Sequence, residues 1–415
     1  MNRREFVVGC SAAIAAMAGS QLESFAFAPE PNAQQDIFVF VFLRGGCDAL
    51  NLVAPVDDRN YVAARPAFLR VTEQGKNQGL RLKNGLVNQD FRLHGKANAL
   101  HELYGSNQLG IVHACGLSNG TRSHFDAMDM IERGINQKQN NNDGWLTRYL
   151  RTAQLEGMLP AMAAETNLPA SFIGSNQASS IKSINDFKVN GDPRLMGILK
   201  TMYQGDSLID QTAQQTIATL NYINQKIEKD SKGRRKKYQP ANGVKYPNRW
   251  KDGGLGQSLQ TVAQIMKMEV GLQVATVSLG GWDTHENQAY HFPRKVEGLS
   301  QALAAFYNDV SQYHKRLTVL VMSEFGRRLK ANKSNGTDHG HGGIALALGG
   351  NVNGGKIYGK WPGLATEQLD KRVDLDVTTD YRTVLSEVLQ KRMGSKQLDT
   401  VFPDFKDYKP LGLFS

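Results

Sequence analysis

The chain has 415 residues, 40% of them hydrophobic and 21% charged, which is enough apolar content for a sizeable core and too little charge for wholesale disorder. A formal net charge of +10 favours anionic partners such as phosphate esters, acidic glycans or lipid headgroups. No basic motif interleaved with aromatics is present to read bases, so nucleic acid is not expected as a partner.

Residues 1–28 read as an export signal. Arg3 and Arg4 form a twin-arginine head, an apolar stretch too short to span a bilayer follows, and Ala26-Phe27-Ala28 offers a small-residue cleavage site. Cys10 stands at the start of the apolar stretch, which disfavours a lipid anchor. The expectation is passage through the twin-arginine translocase into the periplasm or the medium, folded and already carrying any metal. Cys47 and Cys115 remain after cleavage and could pair in an oxidising compartment. No later segment is long and apolar enough for a transmembrane span.

Residues 29–415 are expected to form one α/β domain with a helical insertion around 137–253. A polar linker leads to residues 36–43, a β-branched and aromatic run that predicts a central parallel strand buried on both faces. It ends in Arg44-Gly45-Gly46-Cys47-Asp48, where the glycines allow a sharp turn. Asp48 either projects from the carboxyl edge of the sheet, where open α/β folds place their sites, or caps the next helix. A second strand over 109–115 is followed by a glycine-bearing loop and a helix. Thr121 or Ser123 falls at that helix's N-terminus, as a cap, as a hydroxyl of lowered pKa, or as both. The basic run 229–238 is either a solvated loop or a docking segment for an anionic face.

The densest chemistry lies between Gly281 and Gly343. A strand over 272–279 ends before Asp283 and His285. A helix over 295–315 leads to a strand over 317–322 that ends before Glu324 and Arg327, and Asp338, His339 and His341 follow in a glycine-rich loop. These six acidic and imidazole groups, Asp283, His285, Glu324, Asp338, His339 and His341, sit at or just beyond strand ends, as Asp48 does. Strand ends of a parallel sheet share an edge, so the groups can meet there. Clustered carboxylates raise one another's pKa unless a cation neutralises them. Oxygen and imidazole donors point to zinc, manganese, iron, magnesium or calcium.

The segments FLRGGCDALN, TRSHFDAMDMIERG, DGWL, GGWDTHENQ, VLVMSEFGRR, TDHGHGG and TTDYR resemble, in order, those of the bacterial family called "domain of unknown function 1501". The resemblance implies a twin-arginine-exported branch of the alkaline phosphatase and sulfatase-like superfamily, with a mostly parallel sheet sandwiched by helices and metals at the strand ends. It also implies metal roles for Asp48 and for Asp283 with His285, and a nucleophile in the Thr121–Ser123 loop. Glu324-Phe325 stands where that superfamily commonly shows Asp-His, and Asp338, His339 and His341 could restore the imidazoles. No Cys-x-Pro-x-Arg surrounds Cys47 or Cys115, which disfavours sulfatase chemistry through an oxidised cysteine.

The function expected is an exported metal-dependent hydrolase of phosphate or sulfate esters acting on an anionic small molecule or polymer. Ser123 or Thr121 would be the nucleophile with Arg122 beside it, and Arg44, His124 and Arg327 would hold substrate oxygens. The rival is a non-catalytic periplasmic binding or assembly protein that keeps the fold. A metal-independent serine hydrolase lacks its Gly-x-Ser-x-Gly elbow.

Overall fold

The computed structural model describes residues 35–415 apart from 87, 139–142, 154, 156, 185–194 and 407. The twin-arginine segment, its cleavage site and most of the following linker lie outside the described residues.

Among the described residues twelve strands follow in chain order: β1 (Ile37–Leu43), β2 (Val53–Pro55), β3 (Leu80–Arg81), β4 (Phe91–Leu93), β5 (Leu109–Gly116), β6 (Ala161–Ala163), β7 (Ala178–Ser180), β8 (Val274–Leu279), β9 (Leu317–Ser323), β10 (Gly343–Gly349), β11 (Ile357–Tyr358) and β12 (Thr379–Asp380). Nine of them build the main sheet in the order β11-β5-β10-β9-β1-β8-β6-β7, with β12 also on β5; β2, β4 and β3 form a small antiparallel sheet. Every pairing in the main sheet is parallel except those of β10, which runs antiparallel to both β5 and β9. This is the mostly parallel, helix-flanked α/β sheet that the sequence predicts.

Central β1 shows why the run folds this way. Its alternate residues Val39 and Val41 join one core, while Phe38, Phe40 and Phe42 join the core on the opposite face. Both faces must therefore be apolar, and the strand reads as a continuous hydrophobic run. Each such side chain contributes roughly 1.5–3 kcal/mol on full burial. One layer packs the helices Asn98–Gly105, Leu255–Lys267 and Gln288–Asp309 on the valine side; the other packs His124–Arg133, Trp145–Ala153 and Tyr381–Lys391 on the phenylalanine side.

Only part of region 137–253 is a helical addition. Its strands β6 and β7 extend the main sheet, whereas the helices Leu195–Met202 and Leu208–Lys226 share a small separate core of Leu195, Leu199 and Ile217. The basic run turns back on itself, with Lys229 bridging to Arg235 and Asp230 accepting from Arg234 Nε at 2.8 Å. Cys47 and Cys115 are both buried and unpaired, so the disulfide considered from sequence does not form here.

Two irregularities matter later. Pairing of β10 with β5 slips at Gly343/Ile344, and Ala114 there takes φ 53°, rare for a residue with a Cβ. The Ala114 N–H is satisfied by the neighbouring His113 Nδ1 at 2.9 Å. The segment between β9 and β10 folds back as a ribbon: Gly326 N–H donates to His341 O at 3.0 Å, Gly340 N–H to Gly326 O at 3.0 Å, and Arg328 N–H to Asp338 O at 2.9 Å.

Candidate metal centre

Strands β1, β5, β8 and β9 are co-directional, so the segments that leave them emerge along one edge, and antiparallel β10 begins at that same edge. Gly45 is a point of close approach between two of them. It takes φ +121°, and a Cβ there would stand 2.5 Å from the Asp283 backbone nitrogen, so only glycine fits between the segments that leave β1 and β8.

Three imidazoles and one carboxylate meet here. His124, the first residue of the helix after β5, approaches Glu324 through Nδ1 at 2.7 Å; a carboxylate only accepts, so Nδ1 carries the proton. His285 is held in the same way by Asp338 at 3.1 Å, and His339 Nδ1 donates to the Arg122 carbonyl at 2.8 Å. In its neutral form each of the three rings therefore presents Nε2 as a lone pair. Those three atoms turn toward Asp283, at 3.4 Å for His124, 3.0 Å for His285 and 3.2 Å for His339. His285 Nε2 and His339 Nε2 are themselves 2.8 Å apart. Lone pairs packed against a carboxylate and against each other require something electron-poor among them.

A divalent cation fits that requirement. Potential ligand atoms of His124, Asp283 and His339 all lie within 4.8 Å of one another, and His124 Nε2 is buried with no hydrogen-bond partner. Each ring's Nδ1 partner is what a metal-binding histidine needs behind it to fix tautomer and orientation. The neighbouring charges act differently on each group. The Glu324 hydrogen bond raises His124 above the usual imidazole range against the opposing effect of burial. Burial, reinforced by neighbouring His124, lowers His339. Burial would raise Asp283, but the Arg327 guanidinium, donating to Oδ1 at 2.7 Å, outweighs it and keeps the carboxyl below its ordinary value. Asp338 is lowered by its hydrogen bond from Asn332, despite some burial, and further by His285.

Several expected residues stand elsewhere. Asp48 is fully buried, and both of its oxygens are taken: Arg65 binds it in a fork at 2.6 and 3.0 Å, Gln288 adds 2.6 Å, and the Asn51 N–H makes it the helix cap. A guanidinium thus fills the place expected for an ion. Glu324, also fully buried, lies behind the centre, accepting from His124, from the Gly45 N–H at 2.7 Å and from Ser323 Oγ at 2.9 Å. Asp338 likewise backs His285. Arg327, buried, is committed to Asp283 and to the Thr337 carbonyl, and Arg44 to Glu132 at 2.6 Å and Ser278 Oγ at 3.0 Å, so neither guanidinium is free to clamp an anion. Exposed Ser123 is the helix cap, its Oγ accepting from Asp126 N–H at 3.4 Å, and Thr121 Oγ1 accepts from Ser123 N–H at 3.3 Å. Arg122 places its carbonyl on His339 and its guanidinium on Asp370 and Asp374. His341, two residues past His339, would share its side in extended chain, but the chain bends at His341 and turns the ring away, toward Asp370 at 3.4 Å.

His124, expected among the substrate contacts, stands in the group whose atoms could hold an ion, and its sequence signal was its place just after a buried strand's loop. Arg65 lay in a segment with no motif, Gln288 closed the GGWDTHENQ segment without standing out as a ligand, and Asp370 and Asp376 lay in a loop whose only signal was repeated aspartate.

Among solved structures, the C-terminal periplasmic domain of EcEptC from Escherichia coli aligns over 93% of this chain and 93% of its own, at 10% identity and a TM-score of 0.37. A complex of that domain with zinc aligns over 78% and 77%, at 10% identity and 0.33. A protein in the alkaline phosphatase superfamily from Vibrio parahaemolyticus aligns over 84% of this chain and 69% of its own, at 11% identity and 0.34. No curated protein matches the chain. The family model described as "Protein of unknown function (DUF1501)" matches residues 86–401, well over half of the sequence, and the chain belongs to that family.

Proposed function

We propose that the protein is an exported, metal-dependent hydrolase of phosphate or sulfate esters. The observation that carries this reading is the convergence of the His124, His285 and His339 Nε2 lone pairs on Asp283. These four residues would hold the ion, and a set rich in imidazole favours zinc or iron over manganese, magnesium or calcium. A cation bound there would supply Lewis acidity toward an ester oxygen and lower the pKa of a nearby hydroxyl or water.

The chain's own residues have separable duties in this reading. Glu324, Asp338 and the Arg122 carbonyl hold the three Nδ1 protons and so keep the Nε2 atoms forward. Arg327 keeps Asp283 ionised and aimed. Ser123 and Thr121 offer hydroxyls on the turn that leads into His124, at a helix N-terminus that favours a developing negative charge. The net charge draws an anionic substrate to the edge.

The test is elemental analysis of purified protein, followed by assays of aryl phosphate and aryl sulfate hydrolysis for wild type, His285→Ala and Ser123→Ala with Thr121→Ala. Bound metal and hydrolysis that both fall in His285→Ala support the reading; metal-loaded protein inert toward both esters rejects it. The Asp48–Arg65 pair favours a second reading, a periplasmic binding or assembly protein with a single ion in a structural role. Metal-loaded but inert protein is the outcome that reading expects.

A further inference from the structure

The geometry points to a second cation site, separate from the His124–Asp283 centre and formed by His341, Asp370 and Asp376. Potential ligand atoms of these three residues all lie within 4.8 Å of one another. His341 is only 5% exposed, and its Nε2 is 3.0 Å from the Leu117 carbonyl, which can only accept, so Nε2 carries the proton. In the neutral ring Nδ1 is then a bare lone pair. It has no hydrogen-bond partner, yet it faces Asp370 Oδ2 at 3.4 Å. A buried lone pair aimed at a carboxylate is repulsive, and a cation bound between them converts that repulsion into coordination.

The backbone builds the site deliberately. Gly342 N–H donates to Leu375 O at 2.7 Å, and a Cβ on Gly342 would stand 2.6 Å from the Asp376 carbonyl, so the 370–376 loop lies directly against the residue after His341. Asp374 adds a third carboxylate, fully buried, whose Oδ1 lacks a partner. The cations paired with these carboxylates are Arg122 on Asp370 and Asp374, and Arg328 at 3.9 Å from Asp374. One imidazole with two carboxylates suits zinc or manganese. Arg122 links the two centres, since its carbonyl orients His339 and its guanidinium holds the loop that carries Asp370. The ion would pin that loop and thereby fix the Arg122 carbonyl behind His339.

The experiment is zinc and manganese content per chain in full-length mature protein, for wild type, Asp376→Asn, His341→Gln and His285→Ala. The inference expects Asp376→Asn and His341→Gln each to lose one ion that His285→Ala retains, and zinc to raise the melting temperature of His285→Ala but not of the double variant His285→Ala with Asp376→Asn. Folded Asp376→Asn and His341→Gln with wild-type metal content overturn it. Nitrogen NMR that finds His341 doubly protonated in zinc-saturated protein also overturns it, and this needs no variant. Because His285→Ala tests the first centre alone, failure of either site is distinguishable from failure of the other.

Discussion

Glu324 stands directly behind His124, its buried carboxylate 2.7 Å from Nδ1, while the opposite nitrogen of the same ring faces Asp283. The ring is thereby fixed in tautomer and direction by a residue that makes no contact of its own with the converging Nε2 atoms. Glu324→Gln keeps the shape but weakens the hold on Nδ1. A loss of 10- to 100-fold in metal affinity is expected, of the order seen when such backing groups are removed. Competition against a chelator of known affinity measures it, and unchanged affinity contradicts the assigned role.

Arg65→Met tests the Asp48 pair. It leaves a fully buried carboxylate without its guanidinium, which costs about 3–5 kcal/mol. Adding Asp48→Asn should recover a large part of that loss, because the uncompensated charge goes with it. Urea denaturation of the two variants decides this. A double variant no more stable than the single one would show that the fork's geometry, rather than its charge balance, matters.

Gly45→Ala strikes a close approach between the segments that leave β1 and β8. The φ of +121° costs about 1–3 kcal/mol for alanine, and the new methyl group pushes on the Asp283 backbone. The variant should remain folded but bind the first ion more weakly, while the His341 site keeps its own. Metal counts and a urea midpoint on the same preparation check both halves.

His113 gives the fold an acid limit. It is fully buried, accepts from the Ala114 N–H through Nδ1 and donates to the Val53 carbonyl through Nε2, so the neutral ring is required. Burial lowers its pKa to about 4, against a small opposing effect of the Val53 bond. The folded value lies below the unfolded one, so the unfolded chain takes up the proton first as pH falls. Stability is therefore intact above about pH 6.5 and declines toward pH 4, by about 3 kcal/mol from this group. His113→Gln should flatten the wild-type slope in that window, whatever its stability at neutral pH.

The proposed export route predicts that Arg3→Lys together with Arg4→Lys retains an uncleaved precursor in the cytoplasm, whereas mature wild type begins at Pro29. Cell fractionation and intact mass measure both. Periplasmic, processed protein from the double variant would assign the signal to another pathway.

The sheet and its edge were legible because buried parallel strands leave an unmistakable apolar run, and β1, β5, β8 and β9 all do. The candidate groups were legible because they follow those runs. Pairing among them was not. Asp48 looks equally like a ligand and like a cap until Arg65, from a polar segment with no periodicity, is seen to occupy it. His339 and His341 look like one chelating motif, yet a bend in the chain at His341 leaves them in different groups with different carboxylates. The direction of β10 is equally silent in sequence, since the run Ile344–Leu348 reads the same both ways.

That reversed strand has a consequence for how the centre comes apart. The ribbon closed by the Gly326, Arg328 and Gly340 amide bonds carries Asp338, His339 and Arg327 as one locally zipped unit, with a closure entropy set by little more than a dozen residues. His124 arrives instead from a distant stretch of chain and meets the ribbon through side chains and the Arg122 carbonyl, whereas the Asp283 turn is also tied to it by backbone, the Thr337 N–H donating to the Thr284 carbonyl at 3.2 Å. Stripped of its ion, the molecule should first exchange amide hydrogens at the start of the His124 helix, with the ribbon and the Trp282–Glu286 turn still protected.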